Sequence, residues 1–202
     1  MKREINISVR NLVNIIIFCG IPFRQGGIIF PRHLYCTLKA AGDVIGNYML
    51  VTVDAHEGSV AGENATQNNM RKPNYKAVPH AIFTSPQVAS VGLKEAESIE
   101  LGFKVDSRTL DMALVPKAAA IRNTQGFVKM IIERDTKKIL GVHVIGELAA
   151  DIIQEATLAI QFDLTSTDIS NTIHVYPTMS EAIKLVAQSF DKDMNKLSCC
   201  AE

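Results

Sequence analysis

Apolar positions near the end of the chain recur with helical spacing. Met179, Ile183, Val186 and Phe190 fall four, three and four residues apart, which draws one apolar stripe along a helix, and Met194 and Leu197 prolong it. Lys184, Asp191, Lys192 and Asp193 lie off the stripe. Thr178 and Glu181 have the T-x-x-E spacing of a capping box at its start, and Pro177 precedes them, where no helical donor is lost. Upstream, ELAADIIQEATLAIQF opens with Glu147 and carries Leu148, Ile152, Ile153, Ala156, Leu158, Ala159 and Ile160, which predicts a mostly apolar helix. LTSTDIS predicts a cap and a short helix. In GFVKMIIERDTKKILGVHVIG, residues 126 to 146, two apolar runs flank the polar turn Arg134-Asp135-Thr136-Lys137, a hairpin pattern. FKVDSRTL alternates like a strand, KEAESIEL reads as a short charged helix, and AIFTSPQVASVG as two extended pieces around Ser85-Pro86. The sum is an α+β domain, an antiparallel sheet with helices on one side.

Before this domain the texture differs. AAGDVIGNYMLVTVDAHEGSVAGENA, residues 40 to 65, has small residues, a Gly-Asp pair and then a helical pattern that places Leu50, Val51, Ala55, Gly58 and Gly62 along a face. A turn before a helix leaves backbone N–H groups for an anion or a carbonyl oxygen, and an Asp there can accept from a sugar-like hydroxyl. An ordinary turn capped by Asp43 fits the same residues. Residues 66 to 80 are rich in Asn, Lys and Pro and read as a linker. The chain therefore divides into an unassigned stretch over 1–38, a short turn-helix region over 39–72, and a domain over 76–202.

Lys plus Arg and Asp plus Glu both number 21 in 202 residues, so there is no electrostatic case for nucleic acid or an anionic membrane. Near-neutrality favours self-association, and 47% hydrophobic residues are ample for a core. The apolar run LVNIIIFCGI from 12 to 21 follows Lys2, Arg3 and Arg10. Asn14 interrupts it, no A-x-A-like site follows, and it is shorter than the roughly 20 residues that span a bilayer. It reads as a buried strand or an upstream piece without its context. His33 and Cys36 have metal-compatible spacing but no second pair.

The four cysteines, at 19, 36, 199 and 200, form no secreted disulfide framework, and a reducing, cytoplasmic setting fits them. Adjacent Cys199 and Cys200 hold their Cα atoms about 3.8 Å apart, short of the roughly 4.4–6.8 Å usual for a disulfide. Two thiolates together suit a soft metal ion, and Lys192 and Lys196 favour the thiolate form. A tail whose thiols have no specific role is the competing reading. Cys199-Cys200-Ala201-Glu202 also has the C-a-a-X layout, but Glu is outside the usual final residues and no polybasic run precedes it.

Taken together, FTSPQVASVG, GFVKMIIERDTKKILGVHVIG, ELAADIIQEATLAI and HVYPTMSEAIKLVAQSF resemble, in order, the dimerisation domain of the flavin-dependent pyridine nucleotide-disulfide oxidoreductases. AAGDVIG resembles that family's second flavin motif. The resemblance runs from about residue 38 to 202, and it makes residues 39–72 a remnant of the FAD-binding domain. It implies that Gly42, Asp43 and Val51 belong to the flavin site, Asp43 towards the ribityl chain and the Val51 backbone N–H towards the isoalloxazine ring. It also implies a homodimer.

Within the family, dihydrolipoamide dehydrogenases carry a His-Pro-Thr motif whose His is the acid-base, paired with a Glu five positions on. Tyr176 stands at that His position, with Pro177, Thr178 and Glu181 retained. A phenol titrates near pH 10, so it is a poor proton shuttle at neutral pH but can donate a hydrogen bond or sit beside a thiol-bound metal. His174 is offset by two residues and matches a noncatalytic position. KLSCCAE is similar to the terminal segment of the mercuric reductase branch, in which the pair captures Hg(II) and passes it to a redox-active cysteine pair in the other subunit. The resemblance thus implies Tyr176 and Glu181 as site residues, Cys199 and Cys200 as Hg(II) ligands, and FAD and NADPH as the family's cofactors.

Neither a G-x-G-x-x-G fingerprint nor a C-x4-C pair occurs in the 202 residues. Both are needed for the family's electron path. The expectation is a C-terminal portion of such a reductase, inactive alone, whose first 38 residues stand in for the usual upstream chain. A noncatalytic dimerising or soft-metal-binding module, and a fragment of a dihydrolipoamide dehydrogenase-like protein, are the alternatives.

Overall fold

A computed structural model describes residues 39–67 and 70–192. The chain divides between Asn74 and Tyr75 into two compact units.

The described part of the first unit is a turn and a helix. A 3-10 turn spans Asp43–Ile45 and closes on Gly46, whose N–H bonds the Asp43 carbonyl at 3.0 Å in a left-handed conformation (φ 75°). Helix α1, Val51–Gln67, follows. It buries Val53, Glu57, Val60 and Ala61, spaced four, three and one apart as one face requires. This differs from the expected face of Leu50, Val51, Ala55, Gly58 and Gly62: Val51 is 85% exposed and Ala55 is exposed. The branched residues Val53 and Val60 bury more apolar area than glycines can, and they set the inward side. In the last turns of α1, Asn64 brackets the Arg71 backbone through both amide groups, at 2.7 and 3.0 Å, and Glu63 pairs with the Arg71 guanidinium at 3.1 Å.

The second unit is built on one antiparallel sheet of five strands: β1 His80–Ile82, β2 Gln87–Gly92, β3 Val105–Asp111, β4 Phe127–Glu133 and β5 Ile139–Gly146, in the order β1-β2-β5-β4-β3. The expected hairpin is β4–β5, with Met130 opposite Val142 and Val128 opposite Val144. Its turn contains Lys137 at φ 58°. Ser85-Pro86 is a cis peptide between β1 and β2. The register puts Ala89, Val91, Leu110, Val128, Met130, Val142 and Val144 on one face, and all are buried. Helices α4, Ala149–Gln161, and α6, Glu181–Gln188, pack on that face, α4 on β2 and β5 and α6 on β3 and β4. Burying a side chain such as Met130 or Ile183 contributes about 1.5–3 kcal/mol, so these two helices and the sheet form one core. The short α3, Pro116–Ala120, lies in the β3–β4 connection, and α5, Ser166–Asn171, precedes α6. A capping box of Thr165 and Asp168 opens α5, as LTSTDIS predicts.

Helices on one side is only partly right. Helix α2, Glu95–Glu100, sits on the opposite face, where Glu95 accepts from Ser107 at 3.1 Å and from Lys129 at 2.5 Å. Ile131 shares that face and is fully buried. The apolar pattern of α4 also over-predicted burial. Leu148 precedes the helix in a left-handed conformation (φ 58°) and is exposed, as is Leu158. Met179, Ile183 and Val186 are buried as the stripe requires, and Phe190 packs against the same core. Among the described residues, no helix is long and apolar enough to cross a membrane.

Candidate functional site

Of the residues expected at a flavin, the structure brings Gly42 and Asp43 to the first turn of α1. Gly42 takes φ 82°, and a Cβ on it would meet the Asp54 carboxyl carbon at 3.4 Å. Its N–H donates to Glu57 Oε2 at 2.7 Å, and Glu57 is 3% exposed. A buried carboxylate thus anchors the turn from below. Asp43 points its carboxyl to Asp54. Desolvation pushes the Asp54 carboxyl above its usual range, and Asp43 and then Glu57 add to the shift. Val51 opens α1, where the first backbone N–H groups have no partner within the helix.

Glu57 was not singled out in the sequence. The signal that finds it is a charged residue in step with Val53, Val60 and Ala61, since a buried-face carboxylate needs a donor. The turn and helix start offer a carboxylate and N–H groups that fit the polar edge of a flavin and its ribityl chain. For the pyrophosphate half the 202 residues supply no fingerprint, so no hydride step can be derived from these residues.

Tyr176 and Glu181 lie in the second unit, on the loop between α5 and α6 and at the first position of α6. Tyr176-Pro177 is a cis peptide, and Tyr176 is 50% exposed. Of the expected capping box, only the half in which the Thr178 backbone N–H meets the Glu181 carboxyl is formed. The Thr178 hydroxyl donates to the Val175 carbonyl at 2.8 Å instead, and Ser180 precedes α6 without a side-chain cap bond. The loop closes on itself, which takes the hydroxyl away from the helix end. Glu181 is 5% exposed, and its Oε2 has no hydrogen-bond partner among the described residues. Desolvation raises its carboxyl above the ordinary range, opposed by the Thr178 backbone N–H and by His174 and Lys184.

His174, two residues before Tyr176, is held inward. Its Nε2 lies 2.7 Å from Glu155 Oε1 and its Nδ1 3.0 Å from the Thr172 carbonyl oxygen. Ile173 and Val175, on either side, are 90% and 77% exposed. Glu155 lies on α4 one turn before Leu158, and Leu158 and Phe162 are exposed on that helix and just after it. An outward apolar surface therefore flanks the His174–Glu155 pair.

Cys199 and Cys200 lie outside the described residues, as do Met194, Leu197, His33 and Cys36. Among the described residues, no group of three or more His, Cys, Asp or Glu could hold a metal ion.

Residues 78–187 match the family model of the pyridine nucleotide-disulphide oxidoreductase dimerisation domain. The chain belongs to that family. Its relatives include mercuric reductases from Streptomyces lividans, 47% identical over 88% of this chain and 38% of that protein, and from Bacillus cereus, 42% identical over 88% of this chain and 28% of that protein. The chain thus spans about a third of the length of these relatives, and it is a mercuric reductase-like dimerisation region. Among solved structures, LpdA from Mycobacterium tuberculosis superposes with a TM-score of 0.68 at 27% identity, over 75% of this chain and 33% of that one. In this family the five-stranded sheet with α4 and α6 is the dimerisation domain, and the loop holding Tyr176 and the start of α6 are part of it.

Proposed function

We propose that the chain is the C-terminal portion of a mercury(II) reductase-like flavoprotein, in which it joins two subunits and captures Hg(II). The observation that carries this reading is the 47% identity to a mercuric reductase over 180 residues. Tyr176 in place of the dihydrolipoamide dehydrogenase histidine and the Cys199-Cys200 pair agree with it. In this reading Cys199 and Cys200 bind Hg(II), the substrate, as thiolates, which favour soft ions and pass them on by ligand exchange. Tyr176 donates a hydrogen bond beside the thiol-bound ion. Glu181, buried behind the same loop, sets the local charge.

The homodimer forms through the exposed apolar surface of Leu158, Phe162, Ile173 and Val175, a composition that marks interfaces when it is contiguous. Gly42, Asp43 and Val51 hold the flavin's ribityl and ring edge, and FAD, supplied with electrons by NADPH, contributes the redox chemistry when bound. The setting is cytoplasmic, with neither nucleic acid nor membrane as a partner.

A second reading is a noncatalytic dimerising module that still binds soft metals. It is favoured by the family match, which falls on the dimerisation domain, residues 78–187. Flavin absorbance of the purified protein separates the two. Flavin bound by the purified protein supports the reductase reading, and colourless protein supports the module.

A further inference from the structure

The ring of His174 lies between two acceptors, the Glu155 carboxylate at 2.7 Å and the Thr172 carbonyl at 3.0 Å. A neutral imidazole has one N–H and would turn a lone pair on one of them; an imidazolium satisfies both. The side chain is 8% exposed, which shields the bond to Glu155, while the Thr172 carbonyl lies at the surface. The residues on both sides point outwards, and two positions on stands Tyr176.

We propose that His174 is a positioning residue: as an imidazolium clamped between helix α4 and its own loop, it fixes the segment that presents Tyr176 and the outward Ile173 and Val175. The inference deepens the function proposed above and rests on it only for the use made of Tyr176. The charged groups facing the ring are Glu155 from α4 and Glu181 and Lys184 from α6. The Glu155 bond raises the imidazole above its ordinary value, ahead of the opposing effect of burial. A raised imidazole stabilises the fold fully below its unfolded value, about pH 6.5, and that contribution is lost as pH rises through the folded value. The loop is therefore held most firmly below the ordinary imidazole range and loosens as pH rises through the raised folded value.

The test uses the full chain without Hg(II) or flavin, so it stands apart from the mercury reading. The His174 ring is titrated by NMR, and backbone order parameters are followed at Val175, Tyr176 and, as a fold control, Met130. In Glu155→Gln, which keeps an acceptor but removes the charge, His174 titrates lower than in the parent. Order parameters at Val175 and Tyr176 then fall towards about 0.6 or below, the flexible range, while that of Met130 is unchanged. His174→Asn should abolish the pH dependence of the loop order parameters. Loop order parameters and His174 titration unaltered in Glu155→Gln, or an ordinary His174 titration in the parent, would overturn the proposal. Loss of Hg(II) binding in cysteine variants with the loop response intact would leave it standing.

Discussion

The Gly42 backbone N–H donates to the buried Glu57 carboxylate, across the 3-10 turn and into the second turn of α1, at 2.7 Å. The turn that resembles a flavin motif is thus set by a side chain 15 residues later. Glu57→Ala leaves a buried N–H without that acceptor and should cost about 1–3 kcal/mol of local stability. The check is hydrogen exchange at Gly42, which should speed up while exchange in β4 stays as it was.

Glu181 carries a charge into a place that stabilises it poorly. Because its carboxyl is raised in the folded state, the native protein holds that proton more tightly than the unfolded chain, so stability falls as pH rises from the ordinary carboxyl range through the raised value. Glu181→Gln should flatten this dependence and raise stability at pH 7 by about 1 kcal/mol. Denaturant midpoints at pH 4 and pH 7 measure it, with the gain confined to the higher pH.

Leu158 and Phe162 face outwards although α4 is otherwise a core helix. If they are the subunit contact, Leu158→Asp and Phe162→Asp should each weaken dimerisation about tenfold or more without changing the far-ultraviolet circular dichroism. Sedimentation velocity over a concentration series reads this directly.

Met130 and Ile183 are fully buried on facing sides of the sheet–helix core. Truncating either to alanine should cost about 2–5 kcal/mol. The corresponding change at Ile173, which is almost fully exposed, should leave stability within about 0.5 kcal/mol. Urea unfolding of the three variants makes the comparison.

Much of the second unit was legible because its signals are local. The apolar runs on either side of Arg134–Lys137 marked β4 and β5, and the spacing of Met179, Ile183 and Val186 marked the buried face of α6. The misreadings share one cause: side-chain direction depends on partners that spacing does not specify. Thr178 and Glu181 have capping-box spacing, yet the Thr178 hydroxyl is drawn to Val175 by a loop bend. Leu148 and Leu158 have core chemistry but face away from the core. Glu57 and Glu155 read as ordinary helix polar residues until the turn and the loop fold back onto them. Of the candidate site, Tyr176 and the Gly42-Asp43 turn were visible as motifs, whereas the groups that hold them come from distant positions.

The central claim is Hg(II) capture by the terminal thiols, and it is tested most directly by titrating Hg(II) into the reduced protein against a competing monothiol. The background is Cys19→Ser with Cys36→Ser, which leaves Cys199 and Cys200 as the remaining thiols of the four. Stoichiometric binding that survives the competitor and disappears in the Cys199→Ser, Cys200→Ser variant is the expected result. Binding that the competitor removes, or that persists unchanged without these two thiols, would contradict the account and leave a dimerisation fold without a mercury site.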